Sequence, residues 1–128
     1  MLGRPYQVSG EVVPGDQRGR RVGIPTANLA VPEGKLIPAP GVYACRSELN
    51  GKRYASAVNI GVRPTFSGQG DTIHVEAHLL DFSGDLYGNT IALDFLERLR
   101  SEKRFESVDA LITQVHSDIQ RTREIVSL

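Results

Sequence analysis

The dipeptide Asn50-Gly51 separates two apolar-rich runs, VYACRSEL over residues 42–49 and KRYASAVNI over residues 52–60. Both residues of such a pair tolerate a positive φ, which a two-residue hairpin turn requires. The sequence therefore predicts two antiparallel strands joined by a tight turn in the middle of the chain. Parallel α/β folds are disfavoured, because no helical pattern alternates with the extended runs.

Further extended segments lie on either side of this hairpin. Residues 6–13 alternate loosely and predict a strand. Residues 72–82, TIHVEAHLLDF, alternate more strictly, so the side chains of Ile73, Val75, Ala77 and Leu79 are predicted to face one way and those of His74, Glu76 and His78 the other. Residues 83–95 predict a turn, a short extended piece and a last strand. Loops are predicted at three places that are rich in glycine or proline: residues 14–24, 35–41 and 61–71.

The hydrophobic period changes near the C-terminal end of the sequence. From Ser107 onward, apolar residues fall at positions 108, 111, 112, 115, 119 and 126, which is helical spacing with one apolar face. Ser107 is a predicted N-cap, and Asp109 suits the positive end of the helix dipole. We expect one mainly β domain over residues 1–128, a small antiparallel barrel with this helix packed against it.

The charge balance and the single cysteine limit the function classes. The 15 Lys and Arg residues equal the 15 Asp and Glu residues, which argues against a general nucleic-acid binder. The first 63 residues nevertheless carry nine basic and four acidic side chains, a pattern that fits either a small-anion site or simple neutralisation on folding. No apolar run approaches the roughly 20 residues of a membrane span. We therefore expect no membrane contact. Cys45 cannot form an internal disulfide, which fits a reducing, cytoplasmic environment.

The segment Pro25-Thr26-Ala27-Asn28 brings two hard oxygen ligands close together. A threonine hydroxyl and an asparagine carbonyl suit Mg²⁺, which takes few protein ligands and keeps water or phosphate oxygens as the rest. Residues i and i+2 of an extended segment point to the same side, so Thr26 and Asn28 can converge. The alternative is a polar turn that enters a strand.

The preceding loop, GDQRGRRVG over residues 15–23, combines glycines with arginines. Glycines such as Gly15 and Gly23 permit close backbone approach to phosphate, free N–H groups can form an anion nest, and Arg20 can neutralise phosphate oxygens. The loop is either such a phosphate-binding flap or a solvated surface loop.

Three ionisable residues, His74, Glu76 and His78, share one face of the predicted strand. A metal site of two histidines and one carboxylate is one interpretation. The spacing of about 6.6–6.8 Å between residues i and i+2 makes three ligands on one straight strand awkward for a single ion. Glu76 acting as a lone base is the better functional interpretation, and a solvated outer face is the alternative without function.

Together these segments resemble the riboflavin kinase family over nearly the whole chain. The similar stretches are residues 3–29, which contain PTAN, residues 41–66, HVEAHLLDF over 74–82, LYG over 86–88, and LRSEKRF over 99–105. In bacteria this module usually forms the C-terminal half of a bifunctional FAD synthetase. The resemblance therefore implies a fragment of a longer enzyme, fused to an N-terminal FMN adenylyltransferase domain that is absent from these residues.

The resemblance implies a six-stranded antiparallel Greek-key barrel with a C-terminal helix. It implies transfer of the γ-phosphoryl group of ATP to the 5′-hydroxyl of riboflavin, giving FMN and ADP, with Mg²⁺ or another divalent ion. Glu76 would be the catalytic base, and Thr26 and Asn28 would hold the ion and the phosphates. The loop from Gly15 to Gly23 with Arg20, and Pro25, would contact ATP, while Arg100 and Phe105 would contact the flavin.

Two alternatives of other classes stay open from the sequence. One is a flavin-binding barrel without catalysis, which would bind flavin and leave ATP intact. The other is a metal-dependent barrel enzyme that uses His74, Glu76 and His78.

Overall fold

The structure is a computed structural model that describes residues 6–13, 27–30, 37–64, 71–82, 88–102 and 105–126. Six strands and a helix lie in these ranges: β1 (Tyr6–Val13), β2 (Ala27–Ala30), β3 (Gly41–Leu49), β4 (Lys52–Pro64), β5 (Asp71–Leu79), β6 (Thr90–Arg100) and α1 (Val108–Ile125). The strands close into a barrel in the order β1-β2-β5-β4-β3-β6, and every neighbouring pair is antiparallel. The predicted barrel with a C-terminal helix is confirmed.

The hairpin predicted at Asn50-Gly51 joins β3 to β4. Asn50 has φ 52° and Gly51 φ 80°, so both adopt the left-handed conformation for which the pair was identified. Pairing runs without interruption from Leu49 opposite Lys52 to Gly41 opposite Ile60. This hairpin supplies two neighbouring strands of the closed barrel.

Three predicted boundaries are wrong. The last strand, predicted within residues 83–95, continues as β6 to Arg100. The loop expected over residues 61–71 is shorter, because β4 continues to Pro64 and β5 begins at Asp71, with Val62 paired opposite Ile73. The strand expected to reach residue 82 ends at Leu79, because Asp81 takes a left-handed φ of 61° and turns the chain.

Alternating side chains fill the inside of the barrel. On β5, Val75, Ala77 and Leu79 are buried, while His74, Glu76 and His78 are only half-buried and face outward, as predicted. Cys45 is fully buried, and burial together with the nearby charge of Asp94 raises the pKa of its thiol, so it acts as a small apolar core residue. The interior cluster consists of Val8, Val12, Ala27, Leu29, Tyr43, Cys45, Leu49, Val58, Ile60, Val75, Ala77, Leu79, Ile91, Leu93 and Phe95.

The helix packs on the outer surface of β3, β4 and β6. The N-cap prediction is confirmed, since the Ser107 hydroxyl accepts a hydrogen bond from the Ala110 backbone N–H at 3.1 Å. The helix covers a second apolar cluster made of Val42, Ala44, Ala55, Leu80, Leu99 and Val126.

The predicted apolar face of the helix accounts for only part of this contact. Val108 is 59% exposed, and the buried residues within the helix are Asp118 and Thr122. The Thr122 hydroxyl donates to the Asp118 carbonyl at 2.7 Å, and the Asp118 carboxylate accepts from Arg100. These polar groups can be buried on the barrel side, because each of them has a hydrogen-bond partner.

Candidate active site

Three polar residues form a row across three neighbouring strands. Glu76 on β5 lies directly opposite Asn28 on β2 and directly opposite Asn59 on β4. Directly opposed residues of an antiparallel pair have Cβ atoms about 4.5–5.5 Å apart. Two amide side chains therefore flank one carboxylate, and we call Asn28, Glu76 and Asn59 the amide–carboxylate row.

The row lies on the outer face of the barrel. Side chains alternate along each strand, and the neighbours of each row residue point into the core, such as Val75 and Ala77 beside Glu76. All three row residues are half-buried. This face is thus accessible to a ligand and is still partly shielded from water, which strengthens the electrostatic effect of a carboxylate.

Asn59 carries an unsatisfied polar atom. Its amide oxygen, Oδ1, is buried and has no hydrogen-bond partner. Asn59 was not predicted from the sequence, where it appears only as one polar residue near the end of an apolar run. Asn59 is identified by its position opposite Glu76 in the strand register. This position can be recognised only when the pairing between β4 and β5 is known.

The side chain of Glu102, which follows β6, reaches β4 beside the row. The carboxylate oxygen Oε2 of Glu102 lies 2.8 Å from the point that a Cβ on Gly61 would occupy. Gly61 is two residues after Asn59 on β4 and therefore belongs to the same outer face. The absence of a side chain at Gly61 thus leaves room for the end of the Glu102 side chain on this face.

Arg100 and Phe105, predicted as flavin-binding residues, contact each other in this connection. The Arg100 guanidinium carbon lies 5.7 Å from the centre of the Phe105 ring. Arg100 Nε and Nη2 donate to the Asp118 carboxylate at 3.1 Å and 2.8 Å, so the guanidinium also ties β6 to the helix.

The strand register relates Arg100 to the row. Asn59 lies opposite Val42 on β3, and Val42 lies opposite Arg100 on β6. Three strand spacings of about 4.8 Å put the Arg100 backbone roughly 14 Å from that of Glu76. Arg100 is therefore too far from Glu76 for both side chains to hydrogen-bond to the same ligand atom. Arg100 stays a predicted contact for a part of the ligand that lies away from Glu76.

The two histidines on β5 do not form a metal site with Glu76. No group of three or more His, Cys, Asp or Glu side chains within the described ranges is placed to hold a metal ion. His78 Nδ1 is buried and lacks a hydrogen-bond partner. Burial, with a smaller contribution from the positive charge of Arg123, lowers the pKa of His78 below its usual 6.5. The metal-dependent alternative is not favoured.

Several predicted site residues lie outside the residues that the structure describes. They are Gly15, Arg20, Gly23, Pro25 and Thr26. Their roles toward ATP and the divalent ion stay predictions. Asn28 is the part of the PTAN prediction that the structure places, and it lies beside Glu76.

A separate cleft of about 300 Å³ lies between the C-terminal part of the helix and the start of β4. None of the described residues that line it is a predicted site residue, and its lining includes Arg53, Asp81 and Arg123.

In the part of the chain that the structure describes, no helix is long and apolar enough to cross a membrane.

Comparisons with known proteins bear on the identity of the chain. A family model described as Flavokinase, riboflavin kinase, matches residues 2–126. A bifunctional riboflavin kinase/FMN adenylyltransferase from Pseudomonas fluorescens is 39% identical over 127 residues, which are 99% of this chain and 40% of that protein. The chain thus spans about 40% of the length of the curated relatives that it matches.

Two solved structures have the same fold. A riboflavin kinase from Trypanosoma brucei superposes with a TM-score of 0.69 at 26% identity, covering 94% of this chain and 76% of that one. A structure described as a macrolide-efflux protein from Streptococcus pneumoniae superposes with a TM-score of 0.89 at 38% identity, covering 95% of this chain and 40% of that one.

Proposed function

Since the chain belongs to the riboflavin kinase family, we propose that it phosphorylates riboflavin, transferring the γ-phosphoryl group of ATP to the 5′-hydroxyl to give FMN and ADP. The observation that carries this proposal is the amide–carboxylate row on the outer face of the barrel. A flavin carrier needs no base, whereas phosphoryl transfer to an alcohol needs a group that receives the hydroxyl proton.

Glu76 is the proposed catalytic base. Its carboxylate orients the riboflavin hydroxyl and receives its proton late, as the hydroxyl oxygen bonds to the γ-phosphorus and the bond from phosphorus to the bridging oxygen breaks. ADP leaves with that electron pair. The half-buried position of Glu76 supports this role, because partial exclusion of water holds the hydroxyl against the carboxylate.

Asn28 is proposed to lie on the ATP side of the row and, with Thr26, to hold a divalent ion such as Mg²⁺. The donor set fits a hard cation, since an asparagine carbonyl oxygen lies on the strand beside a carboxylate. The ion, when bound, neutralises the charge on the phosphate oxygens. Gly15, Arg20, Gly23 and Pro25 are proposed to contact the ATP phosphates.

The flavin is proposed to extend from Glu76 across β4 toward Arg100 and Phe105. The separation of roughly 14 Å between the backbones of Glu76 and Arg100 is comparable to the length of an extended flavin with its sugar-alcohol chain.

The chain is further proposed to be the kinase module of a longer bifunctional FAD synthetase, with an N-terminal FMN adenylyltransferase domain. The 40% coverage of the Pseudomonas relative supports this proposal. A cytoplasmic location is proposed because the substrate is ATP and the one cysteine, Cys45, is a free, buried thiol.

Incubation of the purified chain with riboflavin and Mg·ATP, followed by chromatographic separation of flavins and nucleotides, tests the activity. We expect FMN and ADP in equal amounts. Riboflavin binding without consumption of ATP would instead establish the flavin-carrier alternative.

A further inference from the structure

We propose that Asn59 binds the sugar-alcohol chain of riboflavin, with its amide oxygen accepting a hydrogen bond from a ribityl hydroxyl next to the one that Glu76 deprotonates. This inference rests on the proposed function and adds a binding residue to the acceptor side of the site. It joins three observations: an unsatisfied buried acceptor, its register opposite Glu76, and the order of the three row residues.

The first observation is the amide oxygen itself. Asn59 Oδ1 is buried and has no partner. A buried acceptor without a hydrogen bond is uncommon in folded proteins, because removing it from water has a free-energy cost that nothing offsets. Such a group is explained when a ligand supplies the missing donor. A polyol supplies this donor, since each of its hydroxyls can donate one hydrogen bond.

The second observation is the register. Asn59 and Glu76 are directly opposed on neighbouring strands, so their Cβ atoms are about 4.5–5.5 Å apart. Adjacent hydroxyls of a sugar alcohol are separated by one carbon–carbon bond. Two acceptors on neighbouring strands can therefore bind adjacent hydroxyls of one chain, Glu76 the reacting hydroxyl and Asn59 the next.

The third observation is the order of the row. Asn28 and Asn59 flank Glu76 on opposite sides. In-line transfer requires that the attacking hydroxyl and the leaving ADP lie on opposite sides of the phosphorus. With Asn28 on the ATP side, Asn59 lies on the side from which the acceptor enters. Gly61, against which the Glu102 carboxylate lies, belongs to the same strand as Asn59.

Asn59→Ala tests the proposal with two flavins. Riboflavin carries the ribityl chain, whereas lumiflavin has a methyl group in its place. Loss of one neutral hydrogen bond weakens binding by about 2- to 10-fold. We expect that loss for riboflavin, measured by quenching of flavin fluorescence, and no change for lumiflavin. The KM for Mg·ATP is expected to stay at the value of the unmodified chain.

Equal weakening of both flavins would overturn the proposal, since Asn59 would then act on the ring or on the fold. Unchanged riboflavin binding would overturn it as well. Asn28→Ala is the matched comparison, because it removes the amide on the other side of Glu76 and is expected to raise the KM for Mg·ATP instead.

Asn59→Leu provides a second variant of nearly the same size in case Asn59→Ala does not fold. It removes the acceptor oxygen without placing a second carboxylate opposite Glu76, so we again expect riboflavin binding to weaken by about 2- to 10-fold and lumiflavin binding to stay unchanged. Unchanged riboflavin binding in this variant would contradict the role of the amide oxygen as an acceptor. If the unmodified chain binds riboflavin but forms no FMN, the proposed function fails while the flavin comparison on Asn59 still decides this inference.

Discussion

Replacing Asp118 by asparagine should destabilise the protein strongly, because it breaks a buried ion pair. The Asp118 side chain is 7% exposed and that of Arg100 20%. The carboxylate accepts hydrogen bonds from Arg100 Nε and Nη2 at 3.1 Å and 2.8 Å and from Gln114 Nε2 at 3.1 Å. The substitution keeps the shape of the side chain and removes its charge, which leaves the guanidinium without a counter-ion.

The expected loss follows from this burial. Breaking a buried pair by removing one partner costs about 3–5 kcal/mol of the free energy of unfolding. Arg100 retains the Ser101 carbonyl at 3.1 Å and the Phe105 ring, so we expect the lower end, about 3 kcal/mol. An unfolding entropy of about 2.1 cal/mol/K per residue gives roughly 0.27 kcal/mol/K for 128 residues, and hence a fall in Tm of about 11 °C.

Asp81→Asn is the matched control, and calorimetry is the assay. Asp81 also pairs with an arginine of the helix, Arg123, at 2.7 Å, but both side chains are exposed, so its loss should leave the Tm nearly unchanged. If Asp118→Asn lowers the Tm no more than Asp81→Asn does, the buried pair does not attach the helix to the barrel as argued here.

Three further predictions concern the barrel, its pH response and the ATP side of the site. Gly10→Ala places a Cβ 2.7 Å from the Ala30 backbone oxygen and should lower the free energy of unfolding in urea by about 1–3 kcal/mol. Gly61→Ala is the control, because its Cβ meets only the end of a flexible side chain and should change this free energy little. Equal losses in the two variants would contradict the predicted backbone clash. Folding lowers the pKa of His78, so at acidic pH the unfolded chain binds more protons than the folded chain, and the free energy of unfolding should fall as the pH drops below 6.5. His78→Gln should make the free energy of unfolding less dependent on pH in this range. The same pH dependence in the variant and the unmodified chain would refute the prediction. Asn28→Ala should raise the KM for Mg·ATP in steady-state assays with an unchanged Tm, and a normal KM would remove Asn28 from the site.

Local signals in the sequence were sufficient to predict most of the elements and a small antiparallel barrel, whereas β2 was not predicted as a strand and the number of six strands was implied only by the family resemblance. Asn50-Gly51 specified its hairpin because a two-residue turn depends only on the conformations of those two residues. The alternation on β5 and the N-cap at Ser107 are equally local, and both were found in the structure. The boundary at Pro64 was missed because pairing with β5 extends the strand through a segment that is itself rich in turn residues.

Long-range pairing explains what sequence reasoning missed at the site. Glu76 was identified from its own strand, but Asn59 became a candidate only through its register opposite Glu76. The partner of Arg100 was missed for the same reason, since Asp118 lies on a different element and no spacing rule relates the two. The helical spacing of apolar residues also does not predict that polar residues such as Asp118 and Thr122 lie on the side of the helix that packs against the barrel.

The most direct test of the catalytic role of the amide–carboxylate row is the kcat of Glu76→Gln with riboflavin and saturating Mg·ATP. The substitution keeps the size of the side chain and an acceptor oxygen, but it removes the basicity. A positioned base contributes about 10²–10⁴-fold, so we predict a loss of kcat of at least about 10²-fold, with riboflavin and ATP affinities little changed. His78→Ala is the control, since His78 lies on the same face of β5 and is expected to retain activity. If Glu76→Gln retains most of the kcat and His78→Ala abolishes it, the assignment of Glu76 as the base is contradicted.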